Sequence, residues 1–356
     1  MTVLVTGGAG YIGSHMVWNL LDAGERVVVL DRLSTGFAWA VAPGAKLVVG
    51  DVGDMALVTR LIREEGVEAI LHFAGSVVVP ESVADPLSYY DNNTARSRNL
   101  LEAAIRCGIR HFVFSSTAAV YAANDGDPVR EDAPLYPASP YGWSKLMVEH
   151  MLRDAAAAHD FTYTALRYFN VAGADPAMRT GQSTAGATHL LKVACETATG
   201  TRPVMQVFGT DYPTRDGSCI RDLIHVSDLV QAHSLALTRM RAGGNSLVAN
   251  LGYGNGYSVL ETIDSVRRTS GVEFPVEYAP RRPGDLQAVV ADASRARSEF
   301  GWQPKHEDLD GIVRDALEWE RRLSKRRKID TGSAGIEMPD DGGLVLAGKR
   351  DSVRQF

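Results

Sequence analysis

Residues 2–13 read TVLVTGGAGYIG, an apolar run followed by glycines at 7, 8, 10 and 13. The pattern predicts a buried strand at 2–6, a turn too tight for side chains and a helix at 12–23. Gly7, Gly8 and Gly10 let the backbone turn sharply and come close to a pyrophosphate. Gly13 removes a side chain where the helix packs on the sheet, and the free amides of the helix start hold phosphate oxygens. A second apolar run, RVVVLD at 26–31, ends in Asp31. A carboxylate at that strand end accepts hydrogen bonds from the adenosine ribose hydroxyls, which favours NAD over its 2′-phosphorylated form. The neighbouring Arg32 leaves NADP open. Without the acid, the same glycines would equally serve to pack helix on sheet with no ligand.

Strand and helix patterns alternate onward. Strands are expected at 2–6, 26–30, 46–49, 69–73, 111–115 and 163–168, and helices at 12–23, 54–65, about 85–107 and 141–159. Runs such as VVVL and AILHF are apolar without alternation, as in parallel strands covered on both faces. The fold class is α/β: a Rossmann-type doubly wound parallel sheet over residues 1–170, with a smaller C-terminal α/β substrate domain over 171–324. Later segments are expected to return to the first sheet. Helices at 188–199, 225–240, 258–270, 293–300 and 306–322, and strands at 204–208, 247–251 and 276–278, fill the second half. From 325 the basic run SKRRK gives way to Gly-, Asp- and Ser-rich sequence, read as a disordered tail to 356. The run itself reads as a solvated cationic helix end.

A chain of 356 residues with 45% apolar and 22% charged residues is ordinary for a globular enzyme, and a net charge of −6 disfavours nucleic acid as a partner. Cys107, Cys195 and Cys219 are widely spaced, which predicts neither a disulfide framework nor a zinc site and fits a reducing compartment. No apolar run reaches membrane-spanning length and the N-terminus enters a strand at once, so a cytoplasmic protein without a signal peptide is expected. No pair of histidines has ligand spacing with a second His, Cys or acid, so no metal is expected.

Tyr141-Gly-Trp-Ser-Lys145 opens a helix directly after Ser139-Pro140. The i, i+4 spacing puts Tyr141 and Lys145 on one face. A phenol of pKa near 10 is a poor base at neutral pH, and a nearby ammonium favours its phenolate. Alone, such spacing marks any amphipathic helix start. Upstream, however, Phe114-Ser115-Ser116-Thr117 ends a strand, where a hydroxyl can bind a substrate oxygen and relay a proton to the tyrosine.

These features, with HFAG at 72–75, PLSYYDNN at 86–93, FSSTAAVY at 114–121, SPYGWSKLMVE at 139–149, LRYFNVAGA at 166–174, FGTDYPTRDGSCIRDLIHVSDL at 208–229, NLGYGNGYSV at 250–259 and RRPGDLQAVVAD at 281–292, resemble the UDP-glucose 4-epimerases of the extended short-chain dehydrogenase/reductase family. The resemblance runs from Met1 to about Trp319. It implies NAD as cofactor, a UDP-hexose as substrate, a transient 4-keto sugar and a homodimer built on the 85–107 and 141–159 helices. Leu100, Leu101, Ala104, Leu146 and Met147 are candidates for that seam, or for burial within one chain.

Position by position, the resemblance implies that Tyr11 and Ile12 offer amides to the pyrophosphate, beside Gly7, Gly10 and Gly13. Asp31 binds ribose, Asp51 and Val52 flank the adenine, and Phe73, Ala74, Gly75 and Asn92 line the dinucleotide. Thr117 and Tyr141 carry the proton chemistry, and Lys145 holds the nicotinamide ribose and tunes Tyr141. Tyr168 lies at the cofactor and, with Asn170, approaches the hexose and diphosphate. Arg221, Arg282 and Asp285 grip the nucleotide; guanidinium forks suit phosphate oxygens, though surface ion pairing would equally explain an arginine.

Some positions depart from the family pattern. Val77 stands for a common lysine near the cofactor, Ala122 for a glycine, Leu223 for a tyrosine, and His189 for an asparagine on the diphosphate. Val289 stands where a tyrosine limits the sugar pocket of some members, which opens N-acetylhexosamine substrates; pentose substrates stay open besides. Ala118 and Ala119 follow Thr117 where sugar-nucleotide dehydratases carry carboxylates, which counts against dehydration and weakens decarboxylation. An intact Thr117, Tyr141 and Lys145 counts against a non-catalytic NAD sensor.

Overall fold

The computed structural model describes residues 1–122, 128–282 and 286–333, with side chains as far as Arg326. Its first half runs β1 (Thr2–Thr6), α1 (Tyr11–Asp22), β2 (Arg26–Asp31), β3 (Lys46–Val49), α2 (Met55–Glu65), β4 (Val67–His72), α3 (Val79–Ala84), α4 (Pro86–Tyr89), a π turn at Tyr90–Ala95, α5 (Arg96–Arg106), β5 (His111–Ser115), α6 (Pro140–Ala158) and β6 (Thr162–Tyr168). The second half runs β7 (Asn170–Ala172), α7 (Leu190–Ala198), β8 (Met205–Phe208), β9 (Ile220–His225), α8 (Val226–Arg241), β10 (Leu247–Leu251), β11 (Gly256–Ser258), α9 (Val259–Ser270), β12 (Val276–Ala279), β13 (Ala288–Val289), α10 (Ser294–Phe300) and α11 (Leu309–Ser333).

Seven parallel strands form one sheet in the order β10-β6-β5-β4-β1-β2-β3. The apolar runs divide by alternation. Val3, Val5, Val27, Val29, Leu71 and Val113 face a core shared with α1 and α8. Leu4, Val28, Leu30, Ile70, Phe112 and Phe114 face a second core shared with α2, α5 and α6. A strand buried on both faces has no polar side, hence its unbroken apolar sequence. The chain order reverses between β1 and β4, and a crevice at the carboxyl ends of these strands is the expected ligand position.

The smaller unit holds β11-β9-β13 with β7 alongside β9, and a separate β8–β12 pair. The strand at 247–251 leaves this unit and pairs with β6 at the edge of the large sheet. The strands β7, β9, β11 and β13 are too short or too polar to announce themselves by pattern. The buried carboxylate of Asp222 organises them: it accepts from the amides of Tyr253 (2.9 Å), Gly254 (2.9 Å) and Ala291 (3.1 Å). Leu223, in place of a tyrosine, is core.

Two helix expectations need correction. The helix expected at 85–107 is two helices, α4 and α5, joined by the π turn. Asp85 caps α4 through the Ser88 amide, Pro86 sits at the helix start where its missing N–H costs nothing, and the π turn interrupts the register beyond. The last helix continues to Ser333, so the stretch 325–333 of the expected tail is helical; 334–356 lie outside the described residues. Of the seam candidates, Leu100, Leu101, Ala104 and Leu146 are buried within one chain and only Met147, 41% exposed, faces outward.

Candidate active site

The glycine turn is sterically committed. A Cβ on Gly13 would lie 2.1 Å from the Gly7 carbonyl oxygen, and one on Gly7, which has φ +71, would lie 2.6 Å from the Ala74 amide nitrogen. Gly10 caps α1 without a side-chain hydrogen bond, and no acid occupies the first helical turn. The amides of Tyr11 and Ile12 therefore present an uncompensated positive end, as an anionic bridge requires. Asp31 lies beside this turn: its carboxylate accepts from the Ala9 amide (3.0 Å) and the Leu33 amide (2.7 Å). With one oxygen on each amide, lone pairs remain for vicinal hydroxyls. A turn that a single methyl group would fill, a bare helix start and a buried acid fit a dinucleotide.

Asp51 accepts from the Gly53 amide (2.7 Å) and pairs with Arg96, while Val52 lies in the core beneath it. Phe73, Ala74 and Gly75 follow β4, with the Phe73 ring 4.9 Å from His233. The π turn delivers two neighbouring asparagines to one place. Asn92 donates to the Ser76 hydroxyl (2.9 Å), and Asn93 accepts from the Ser76 amide (2.8 Å) and donates to its carbonyl (3.0 Å) and to Ser144 (3.0 Å). Only Asn92 is expected from the sequence; Asn93 ties the cofactor-side loop to the tyrosine helix. Val77, where a lysine is common, is 48% exposed.

The three hydroxyls of Ser115-Ser116-Thr117 separate. Ser115 bonds the Tyr168 phenol, Ser116 bonds Glu149, and Thr117 bonds Tyr141. Thr117 also accepts from the Ala119 amide (3.1 Å), which directs its own hydrogen toward the Tyr141 oxygen. Burial raises the Tyr141 phenol above its usual value, and the Thr117 hydrogen bond pulls it back. Tyr168 is also pushed up, by burial first and then by Tyr141. Lys145 donates to the Ser115 carbonyl (3.0 Å) and lies 5.0 Å over the Phe114 ring. Burial lowers its ammonium from 10.5 to about 8. A Cβ on Gly75 would be 3.4 Å from its Nζ, so the ammonium faces the loop expected to carry the dinucleotide.

Among the described residues no carboxylate pairs with this buried ammonium, so its charge is held at a cost in stability. In the ligand-free protein, Lys145→Met should raise stability at pH 7 by about 1–3 kcal/mol while removing activity, since the drop from 10.5 to about 8 corresponds to roughly 3 kcal/mol. The folded value lies below the unfolded one, so between pH 8 and 10.5 the unfolded chain holds the proton that the folded chain has lost. Wild-type stability gains on the variant over that window. Thermal melts of both proteins at pH 7 and 10 check this; a variant less stable at pH 7 contradicts it.

On the other side, Asn170 opens β7, and Val289 pairs with Arg221 across β13 and β9. Val289 packs in a cluster with Ala118, Trp143, Leu146 and Phe169, of which Ala118 follows Thr117 in the chain. Arg221 donates to the carbonyls of Ile220 and Leu286 (both 2.9 Å). The Arg282 guanidinium lies 3.6 Å over Phe208, an aromatic platform that the sequence reading passed over. His189 sits near the Gln182 amide (3.4 Å), its imidazole held below its usual pKa by burial. Asp285 lies outside the described residues.

His225, His306 and Asp315 form an acid–imidazole cluster that their scattered positions conceal. The two rings stack at 4.5 Å and 23°, so their in-plane lone pairs run along near-parallel planes instead of converging on one ion. His225 Nδ1 accepts from the Ser227 amide, which assigns its Nε2–H to Asp315 at 3.2 Å. A hydrogen bond joins His225 to Asp315, and ring stacking places His306 against His225.

A family model described as the NAD dependent epimerase/dehydratase family matches residues 3–252. A UDP-glucose 4-epimerase of Azospirillum brasilense is 57% identical over 94% of each chain. Among solved structures, a UDP-glucose 4-epimerase of Stenotrophomonas maltophila, with bound NAD and formylated UDP-arabinopyranose, is 41% identical over 92% of this chain and 99% of its own, with a TM-score of 0.88. A UDP-Glc/GlcNAc 4-epimerase of Campylobacter jejuni is 45% identical over 90% of this chain and 99% of its own, with a TM-score of 0.79. A glycine cradle, a strand-end threonine on a tyrosine and matches of this extent lead to one conclusion: the chain belongs to the NAD-dependent epimerase/dehydratase family.

Proposed function

We propose that this protein is a UDP-glucose 4-epimerase, interconverting UDP-glucose and UDP-galactose with NAD as its resident cofactor. The observation that carries the reading is Thr117 bonded to Tyr141, one helical turn before Lys145, with Ala118 and Ala119 where a dehydratase needs carboxylates. Bound NAD would supply a reversible two-electron acceptor for C4 and a positive charge beside the sugar. The amides of Tyr11 and Ile12 hold its bridge, Asp31 and Lys145 its riboses. Tyr141, hydrogen-bonded by Thr117, takes the O4 proton and later returns it. Arg221, Arg282 and Asp285 hold the nucleotide, while apolar groups such as Val289 line the sugar side. Strong grip on UDP and weak grip on the hexose let the 4-keto sugar present its other face. Residues 1–170 form the NAD-binding part, with the 247–251 strand returning to it, and 171–324 the UDP-sugar part.

Incubation with UDP-galactose tests the reading. An epimerase gives UDP-glucose with no net reduced cofactor; a sensor gives nothing, and a dehydratase gives a stable keto sugar. The small side chain of Val289 supports a second substrate class. UDP-N-acetylglucosamine should turn over in the wild type, and Val289→Tyr should cut that rate at least about tenfold while changing UDP-galactose turnover less than about threefold, as steric exclusion from an apolar pocket allows. A wild type inactive on UDP-N-acetylhexosamines sinks this extension. UDP-pentoses complete the panel.

We also propose a homodimer. A groove of about 630 Å³ between the π turn, α5 and α6 is lined by Tyr90, Thr94, Ala95, Met147 and Met151, with Leu87 77% exposed close by in sequence. Among the described residues no helix is long and apolar enough to cross a membrane, and the cysteines are free, which supports a cytoplasmic location.

A further inference from the structure

The loop after β2 is tied to the middle of the glycine turn from two directions. Asp31 accepts the Ala9 amide at its start, and the Phe37 amide donates to the Ala9 carbonyl (3.0 Å) at its far end. Gly36 allows that approach, since a Cβ there would lie 2.7 Å from the Ala9 carbonyl atoms. Leu33 between them has φ +58, unfavourable for an L residue with a branched side chain, and its amide is held by the Asp31 carboxylate. A strained loop of this kind stays closed only if its surroundings hold it.

What holds it comes from the other end of the chain. Trp39 stacks on Phe37 (centroids 5.2 Å, 29°) and on Trp319 of α11 (6.3 Å, 27°), and the Arg326 guanidinium lies 4.1 Å over its ring. Trp319 is itself a firm post. It is buried, its indole N–H donates to Ser183 (3.2 Å), and Gly181 gives it room, because a Cβ there would lie 2.4 Å from the indole. The next residue, Glu320, pairs with the buried Lys192 of α7. Trp39 therefore leans on a helix anchored by both packing and charge.

We propose that Phe37, Trp39, Trp319 and Arg326 form a clasp that holds the 32–37 loop on the glycine turn and slows release of the dinucleotide. The proposal rests on the dinucleotide reading of that turn. A cofactor seated between the turn and Asp31 leaves only when the loop opens, so its escape rate follows the opening frequency. These are positioning residues, distant in sequence from the proton chemistry.

The test measures NAD retained after exhaustive dialysis and the rate of NAD release into excess competing nucleotide, in wild type, Trp39→Ala, Trp39→Phe and Arg326→Gln. Release should quicken about five- to thirtyfold in Trp39→Ala and about threefold in Arg326→Gln, following the usual strength of stacking and cation–π contacts. Trp39→Phe should stay within about threefold of wild type, and added NAD should restore Trp39→Ala turnover, which a misfolded variant would not show. Wild-type protein that holds NAD, with Trp39→Ala releasing it at the same rate, overturns the clasp alone. Wild-type protein that binds no NAD overturns the dinucleotide reading and the clasp with it.

Discussion

Tyr141→Phe should lower kcat on UDP-galactose by about a thousandfold or more, near the upper range for loss of a positioned acid–base group. The ring is buried and packed edge-on to Tyr89 at 6.5 Å, so phenylalanine fills the same space and only the hydroxyl is lost. KM should change little, because the groups expected to hold UDP lie on β9 and the segment around β13. Burial raises the phenol and Thr117 lowers it, so Thr117→Val leaves the base in place but harder to ionise. A hydrogen bond to a charged group is worth about 1.5–3 kcal/mol, so that variant should lose about ten- to a hundredfold. The wild-type rate should rise with pH as the phenol ionises, and the Tyr141→Phe residual should lack that rise. Steady-state kinetics across pH check both; a Tyr141→Phe rate within tenfold of wild type would discard Tyr141 as the base.

Much of this site is legible because close approach to a ligand is written in residue types. Gly7 and Gly13 must be glycine, since a methyl group would collide with backbone atoms, and Asp31 must end its strand to meet Ala9. Tyr141 and Lys145 announce themselves by helical spacing. The large sheet is legible for a related reason: strands covered on both faces are mostly apolar on both sides, and runs such as VVVL stand out.

What escapes the sequence depends on long-range pairing. Asp222 reads as one more charged residue beside Arg221, yet three amides from two distant segments converge on it. Asn93 is the twin of Asn92 until a π turn sends both to Ser76. Ser115, Ser116 and Thr117 look like a single hydroxyl cluster, and only the fold separates a tyrosine-binding threonine from a serine that serves a buried ion pair. That serine leads to the part of the site with the least sequence signal and a large energetic stake.

Glu149 lies four residues after Lys145 on α6, so Tyr141, Lys145 and Glu149 follow one helical stripe. It pairs with Arg167 of β6 through two bonds, Nη2 to Oε2 at 2.6 Å and Nε to Oε1 at 3.0 Å, with both side chains buried. Arg167 continues to the Tyr121 phenol (3.0 Å), which donates to Asn250 of β10 (2.6 Å). Ser116, next to Thr117, completes the network on Glu149. Glu149→Leu should therefore destabilise the protein by about 3–5 kcal/mol, because it leaves a guanidinium buried without its carboxylate. Arg167→Leu should cost a similar amount for the mirror reason. The double variant should cost far less than the sum, since a buried pair replaced together by apolar groups gives up attraction and desolvation at once. Denaturant unfolding of the four proteins measures the coupling. Additive losses would mean that each side chain is held by its other partners, and that the stripe ending in Glu149 does not depend on Arg167 to keep Ser116 and Thr117 in place.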